Sequence, residues 1–370
     1  MKEPVAIILS ISGLVAAAAL ILWNLPEFGS APCGERLARI KKSPNYKNGE
    51  FQNLLPTPII TEAPNEKHSA IDIFFSAQTR RTPQDAIPSV KRDLLHLDPA
   101  RNILVWFGHS SYFMQLEGKR ILVDPVFSGH ASPLSFLIKA FRGTDAYSAA
   151  DLPDIDYLFI THDHWDHLDY DTVKKLRPRV GKVICGLGVG AHLERWGYSK
   201  EQIIEGDWGD EENLGGGFAA YVLPARHFSG RRLERNKTLW ASFALVSPRG
   251  AKIYMGGDSG YGPHFAAIGK AFGGFDLAVL EDGQYDPSWK YIHMTPSETL
   301  LAARDLDAKI LLPVHNSKFM LSTHNWDTPL KAITALAKET PQPVITPEIG
   351  EIVNLDNPAQ SSSEWWNGIK

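Results

Sequence analysis

The chain has 370 residues, 44% of them hydrophobic and 22% charged, which is ordinary globular usage and excludes wholesale disorder, collagen-like repeats and a multi-span membrane protein. A net charge of −4 offers no basic face, so no nucleic-acid partner is expected. Two cysteines, Cys33 and Cys185, exclude a disulfide framework and a zinc module built from four cysteines, and Cys185, in the apolar run Val183-Ile184-Cys185, reads as a buried free thiol.

The first element is Val5 to Trp23, apolar except for Ser10, Ser12 and Gly13. As a helix rising about 1.5 Å per residue it would be roughly 28 Å long, against about 30 Å for a bilayer core. The nearest small residues, Gly29-Ser30-Ala31, precede Pro32, a poor context for signal cleavage. An uncleaved single-pass anchor over residues 1–25 is therefore predicted, placing the protein at a membrane. Lysines and arginines flank the run on both sides, so the face, cytoplasmic or periplasmic, stays open.

Residues 26–100 lack sustained periodicity and read as an extended arm, with one helix near 86–95. From Ile103 the pattern changes. Ile103–Phe107, Tyr112–Leu116 and Arg120–Asp124 are short strand-like runs separated by turn residues. Further strands fit Tyr157–Thr161, Lys182–Cys185, Phe218–Leu223, Leu239–Val246, Lys252–Met255, Leu277–Leu280 and Ile310–Leu312. Helices fit Tyr170–Leu176 and about 262–272, 296–306 and 327–339, with Pro296 suited to a helix start. Strands in this number, mixed with helices, fit two face-to-face sheets with helices outside. The catalytic domain is read as 101–345. Residues 346–370 are read as a C-terminal tail, with Trp365-Trp366 either at a membrane interface or, as the preferred reading, in a disordered polar stretch.

The sharpest signal is Thr161-His162-Asp163-His164-Trp165-Asp166-His167-Leu168-Asp169. It follows an apolar strand, so it occupies a strand-to-helix loop. Imidazole and carboxylate are ligand types that zinc accepts, and two adjacent ions could share such a cluster. His227, Asp258 and His315 each follow an apolar run in the same manner. A polar residue just past a buried strand is where loops gather around a site.

The order of these residues resembles the metallo-β-lactamase superfamily. Within it the chain is most similar to the N-acylphosphatidylethanolamine-hydrolysing phospholipase D group and its bacterial metal-dependent hydrolase relatives. The resemblance covers roughly residues 101–340. Besides the histidine loop it rests on Trp106-Phe107-Gly108-His109-Ser110-Ser111, Leu122-Val123-Asp124-Pro125, Leu239-Trp240-Ala241-Ser242, Gly257-Asp258-Ser259-Gly260-Tyr261 and Tyr291-Ile292-His293-Met294-Thr295-Pro296. It implies an α/β fold, a four-layer αββα sandwich, with two Zn2+ ions per chain. His162, His164 and His227 would hold the first ion, Asp166, His167 and His315 the second, with Asp258 bridging.

The chemistry implied is a phosphodiesterase of phospholipase D type. A metal-bridging hydroxide would cleave N-acylphosphatidylethanolamine-like lipids or a small phosphodiester. Asp166 would ligate and orient the nucleophile, and His293 would contact phosphate or protonate the leaving alkoxide. Tyr261, Gln284 and Tyr285 are candidate substrate contacts. Asp163 and Asp169 are candidates either to hold ligand imidazoles or to cap the loop and place charge at the helix start, and His109 and Asp124 to support the loops beneath. The run Arg231, Arg232, Arg235 and Lys237 is either a solvated loop or an anionic-lipid contact. Two departures from the family stand out: Asn316-Ser317 after His315, where relatives often have Trp-Gly, and the acidic Glu281-Asp282. A lactonase or other small-molecule hydrolase on the same dinuclear site is the alternative, and a homodimer stays open. A di-iron redox protein is disfavoured because such relatives usually carry Glu where Asp163 stands.

Overall fold

The computed structural model describes residues 24–61, 80–231, 234–358 and 362–370. The expected anchor over Val5–Trp23 lies outside the described residues. Among those described, no helix is long and apolar enough to cross a membrane.

After helix α1 (Gly34–Ile40) and a small hairpin of β1 (Tyr46–Lys47) and β2 (Glu50–Phe51), the main strands follow in chain order. They are β3 (Ile103–Trp106), β4 (Tyr112–Leu116), β5 (Lys119–Val123), β6 (Ile155–Ile160), β7 (Val180–Gly186), β8 (Ile203–Gly206), β9 (Glu211–Gly215), β10 (Phe218–Leu223), β11 (Ser242–Val246), β12 (Lys252–Met255), β13 (Leu277–Glu281), β14 (Leu311–Val314) and β15 (Ile352–Asn354). One seven-stranded sheet runs β15-β3-β4-β5-β6-β7-β8, and a six-stranded sheet runs β14-β13-β12-β11-β10-β9. Helices α2 (Tyr170–Leu176) and α3 (Gly190–Arg195) belong with the first sheet, and α4 (His264–Phe272), α5 (Pro296–Asp305) and α6 (Thr328–Ala337) with the second.

The inner strands are apolar because both faces of each sheet are covered, whereas the edge strand β9 exposes alternate residues. The two-residue period then divides them cleanly. Leu104, Trp106, Tyr157 and Phe159 face the second sheet and meet Val222, Phe243, Leu245 and Met255. Ile103, Val105, Leu158 and Ile160 turn outward to Val173 and Leu176 of α2 and Leu193 of α3. Ala244, Tyr254 and Ala278 turn outward to Phe265, Leu300 and Ile333 on the other side. Phe159 and Phe243 meet edge to face across the sandwich at 5.3 Å, each burying a side chain worth about 1.5–3 kcal/mol. The result is the expected αββα sandwich.

Direction places the site. β5 and β6 are parallel, as are β12, β13 and β14. β10 is antiparallel to β11, which is antiparallel to β12, so β10 also points the way of β12. The carboxyl ends of β10, β12, β13 and β14 therefore lie along one rim, opposite the loops that leave β5 and β6.

Two expectations are corrected. Residues 86–95 form no helix: Ile87 and Leu94 are buried in different clusters, which an extended chain spanning both can satisfy and a short helix cannot. The C-terminal segment is not a disordered tail. β15 pairs with β3, and Trp366 lies in the core between the sheets at 1% exposure.

Candidate metal centre

β6 delivers Thr161 to Asp169 as one continuous loop. Asp169 closes it by capping α2, its side chain accepting from the Asp171 amide at 3.2 Å, the usual role of an aspartate at a helix start. The same carboxylate accepts the Phe127 and Ser128 amides at 3.1 and 2.9 Å. Asp169 is thus a cap and loop tie, and holds no ligand imidazole.

The structure brings all seven predicted ligands together. His162 Nε2 is 2.8 Å from His164 Nδ1, and His164 Nδ1 is 3.3 Å from His227 Nε2. Asp258 Oδ2 stands 3.8 Å from His162 Nε2 and 3.7 Å from His227 Nε2. On the other side Asp166 Oδ2 is 3.5 Å from His167 Nε2 and 3.2 Å from His315 Nε2. Asp258 reaches across, with Oδ1 3.2 Å from His167 Nε2 and Oδ2 3.2 Å from His315 Nε2. Zinc bonded to nitrogen at about 2.1 Å in a tetrahedron separates its ligand atoms by about 3.4 Å, so both donor sets have the spacing of a coordination shell. His167 Nε2 and Asp258 Oδ1 are buried yet make no hydrogen bond. Buried polar atoms are rarely left so, and a cation between them accounts for both.

Electrostatics agree. Burial and the neighbouring imidazoles keep His162 neutral, well below its ordinary value, and burial lowers His164 and His227. Burial alone would raise Asp166 and Asp258, but the surrounding imidazoles, His167 first, hold both well below the carboxylate range. Burial would lower His315, yet Asp258, Asp166 and Glu281 outweigh it and push the imidazole up to about 10. The carboxylates call for positive charge here, which protons on His167 and His315 or a cation on the same atoms can supply.

The supporting contacts differ in part from expectation. Asp124 Oδ2 lies 2.8 Å from His167 Nδ1, leaving Nε2 free to ligate a metal, and also accepts from Thr161. His227 Nδ1 donates to the Ile292 carbonyl at 2.9 Å. His109 Nε2 donates to Asp166 Oδ2 at 2.8 Å. Asp163, by contrast, touches no ligand ring. It accepts from the Gly230 amide and Thr238 and pairs with His192, tying the histidine loop to the loop after His227. Arg231 is neither a solvated nor a lipid-facing residue. It is buried, stacked 4.0 Å over Trp165, and donates to the carbonyls of Glu27, Asp163 and Leu168. Arg232 lies outside the described residues, and Arg235 sits 5.5 Å over the Phe228 ring.

Backbone strain concentrates here. His109, Asp124 and His315 have φ of 53°, 42° and 66°, a region that non-glycine residues avoid. His109 and His315 are held there reciprocally, with His315 N–H donating to the His109 carbonyl and His109 N–H to the Asn316 carbonyl. At Gly257, beside Asp258, a Cβ would lie 2.7 Å from the Thr161 side chain, so only glycine lets the two sheets approach at this point.

His293 is brought to the cluster, its ring 5.1 Å from that of His227 and 5.3 Å from that of His315. Tyr261 is not: its hydroxyl donates to Asp305 at 2.5 Å and its ring stacks on Phe265 in the outer helical layer. Gln284 braces the loop after His315, bonding the Phe319 carbonyl and the Leu321 amide. The Tyr285 ring lies 4.6 Å from that of His324, tilted against it. Glu281, notable in the sequence only as an acidic departure from the family, is the residue whose place beside His293 sequence reading missed. It ends β13 fully buried, with Oε2 2.6 Å from His293 Nδ1. An acid closing an apolar strand, like the aspartate after β12, was the available signal.

Residues 119–316 match the family model described as a beta-lactamase superfamily domain. An uncharacterized protein of Mycobacterium tuberculosis is 36% identical over 349 residues, covering 93% of each chain. N-acyl-phosphatidylethanolamine-hydrolyzing phospholipase D 1 of Caenorhabditis elegans is 30% identical over 275 residues, 68% of this chain and 77% of that one. Among solved structures, the metallo hydrolase Igni18 from Ignicoccus hospitalis shares the fold at a TM-score of 0.52 and 21% identity, over 68% of this chain and 97% of that one. The chain belongs to the beta-lactamase superfamily of metal-dependent hydrolases, and within it resembles the N-acylphosphatidylethanolamine-hydrolysing phospholipase D group.

Proposed function

We propose that the protein is a binuclear zinc hydrolase of phospholipase D type. It would cleave N-acylphosphatidylethanolamine-like lipids to a phosphatidic acid and an N-acylethanolamine. The observation that carries this is the pair of donor sets meeting at Asp258, whose two oxygens face His167 and His315 on one side and His162 and His227 on the other. The phospholipid class comes from the relatives' chemistry.

His162, His164 and His227 would hold one cation, and Asp166, His167 and His315 the other, with Asp258 shared. Two such ions supply Lewis acidity for the phosphoryl oxygens and a water acidic enough to attack near neutral pH. The chain's own residues do the rest. Asp166, fixed by His109, aligns the attacking water, and His293 meets the leaving oxygen. No protein nucleophile is needed. Membrane attachment through Val5–Trp23 would keep the enzyme beside its substrate, with Tyr285 and Gln284 on the wall beyond His315.

The test is the purified protein, with and without EDTA, incubated with a phospholipid panel and a lactone panel, products read by mass spectrometry. Metal-dependent release of N-acylethanolamine is expected. Turnover of lactones alone would replace this reading with the lactonase one, and turnover undiminished by EDTA would remove the metal from it.

A further inference from the structure

We infer that Glu281 is a positioning residue for the reaction: it fixes the ring of His293 so that Nε2, and not Nδ1, meets the leaving oxygen. The inference rests on the phosphodiesterase reading above.

The geometry is specific. Glu281 is 0% exposed, and each of its oxygens has defined work. Oε1 accepts the Ser259 amide at 3.0 Å and the Met294 amide at 3.2 Å. Those two donors sit beside Asp258 and His293, so the carboxylate is locked to both loops. Oε2 is left for imidazole. It lies 2.6 Å from His293 Nδ1, a short charge-assisted bond. It also lies 3.3 Å from His315 Nδ1, an ion-pair separation at which that nitrogen is not aligned as a donor.

An acceptor-only carboxylate at Nδ1 requires the proton to be on Nδ1. The opposite atom, Nε2, carries no hydrogen bond to any described residue. With the ring between those of His227 and His315, Nε2 is the one free nitrogen His293 can offer to substrate. In the step, water adds to phosphorus and the P–O bond to the acylethanolamine breaks, its electron pair staying on that oxygen. Nε2, bare in the Nδ1–H ring, takes the proton shed by the attacking water and passes it to that oxygen, which leaves as the alcohol while the ring returns to its Nδ1–H form. Without Glu281 the ring can turn, and the delivered proton loses its alignment.

The discriminating variable is the leaving group. An acylethanolamine alkoxide needs a proton to depart, whereas nitrophenolate does not. Glu281→Gln, near in shape but without the charge, is compared with wild type on an N-acylphosphatidylethanolamine and on bis(p-nitrophenyl) phosphate. The fall in kcat on the lipid should be about 10- to 100-fold and should exceed the fall on the nitrophenyl diester by at least about tenfold. KM and zinc content should stay near wild type. In a His293→Ala background Glu281→Gln should cost nothing further. Equal falls on both substrates, loss of zinc, or a full additional loss in the His293→Ala background would overturn the role of Glu281 alone. Glu281→Asp serves as the second variant if Glu281→Gln folds poorly, with the same ratio read. A wild-type enzyme inert toward both diesters would instead sink the phosphodiesterase reading itself, and this inference with it.

Discussion

Asp258 is the residue on which the centre turns, because it alone faces both donor sets. Asp258→Asn keeps the shape and removes the charge that would offset the two proposed cations. It should cut hydrolysis by about 10³-fold or more, on the scale expected when a transition-state charge clamp is lost, and lower bound zinc by elemental analysis. Far-UV circular dichroism should be unchanged; near-normal turnover would contradict the shared-carboxylate reading. Asp124 tests a subtler point. It bonds His167 Nδ1 and sits 1% exposed beneath the loop, fixing the tautomer that presents Nε2. Asp124→Asn should weaken zinc affinity by about 10- to 100-fold, as losing a carboxylate behind a ligand histidine commonly does. Titration with a chromogenic chelator measures it, and an unaltered affinity would leave Asp124 a loop tie only.

Among the elements, the loop after β6 and the loop after β10 carry the side chains proposed to hold the first cation, yet they come from different sheets. Arg231 joins them. Its guanidinium donates to carbonyls at Glu27, Asp163 and Leu168 while stacking on Trp165 and Trp196. Burial lowers it to about 10, so it still carries its charge at neutral pH. Arg231→Met fills the space but leaves three carbonyls without that donor, each worth about 1–3 kcal/mol if unpaired. A loss of about 3 kcal/mol in urea unfolding is expected, with weaker zinc binding as the loops loosen; a change under about 0.5 kcal/mol, ordinary for a surface site, would refute the clamp. The convergence of the seven candidate ligands was legible in sequence because metal chemistry restricts residue type and because each candidate trails an apolar strand. Tyr112–Leu116, Phe218–Leu223 and Tyr170–Leu176 were legible for the same local reason, a strong pattern with clear ends. β9 was not: as an edge strand with alternately exposed residues it has little apolar signal. Arg231 and Glu281 were not either. Arg231 stood out only as part of a basic run and Glu281 only as an acidic departure from the family, and nothing local says that a charge will be buried against partners from distant segments.

For the whole molecule, the proposed centre is also a fastener between sheets. His162, His164, Asp166 and His167 leave the seven-stranded sheet, whereas His227, Asp258 and His315 leave the six-stranded one. Cations bound by both groups would be present in the folded chain and absent from the unfolded one, where the ligands are dispersed, so their binding adds to folding stability. At a free zinc concentration a hundredfold above the dissociation constant the gain is about 2.7 kcal/mol. With each kcal/mol worth roughly 2–4 °C in a domain of this size class, stripping the metal with EDTA should lower the melting temperature by about 5–10 °C. The shift should reverse on adding zinc, grow with zinc concentration, and shrink in Asp258→Asn, whose chain has lost the shared ligand. Differential scanning calorimetry at fixed pH measures it without any substrate, so the result is independent of what the enzyme hydrolyses. A melting temperature indifferent to EDTA and to added zinc would mean that these side chains hold no cation strongly enough to join the two sheets.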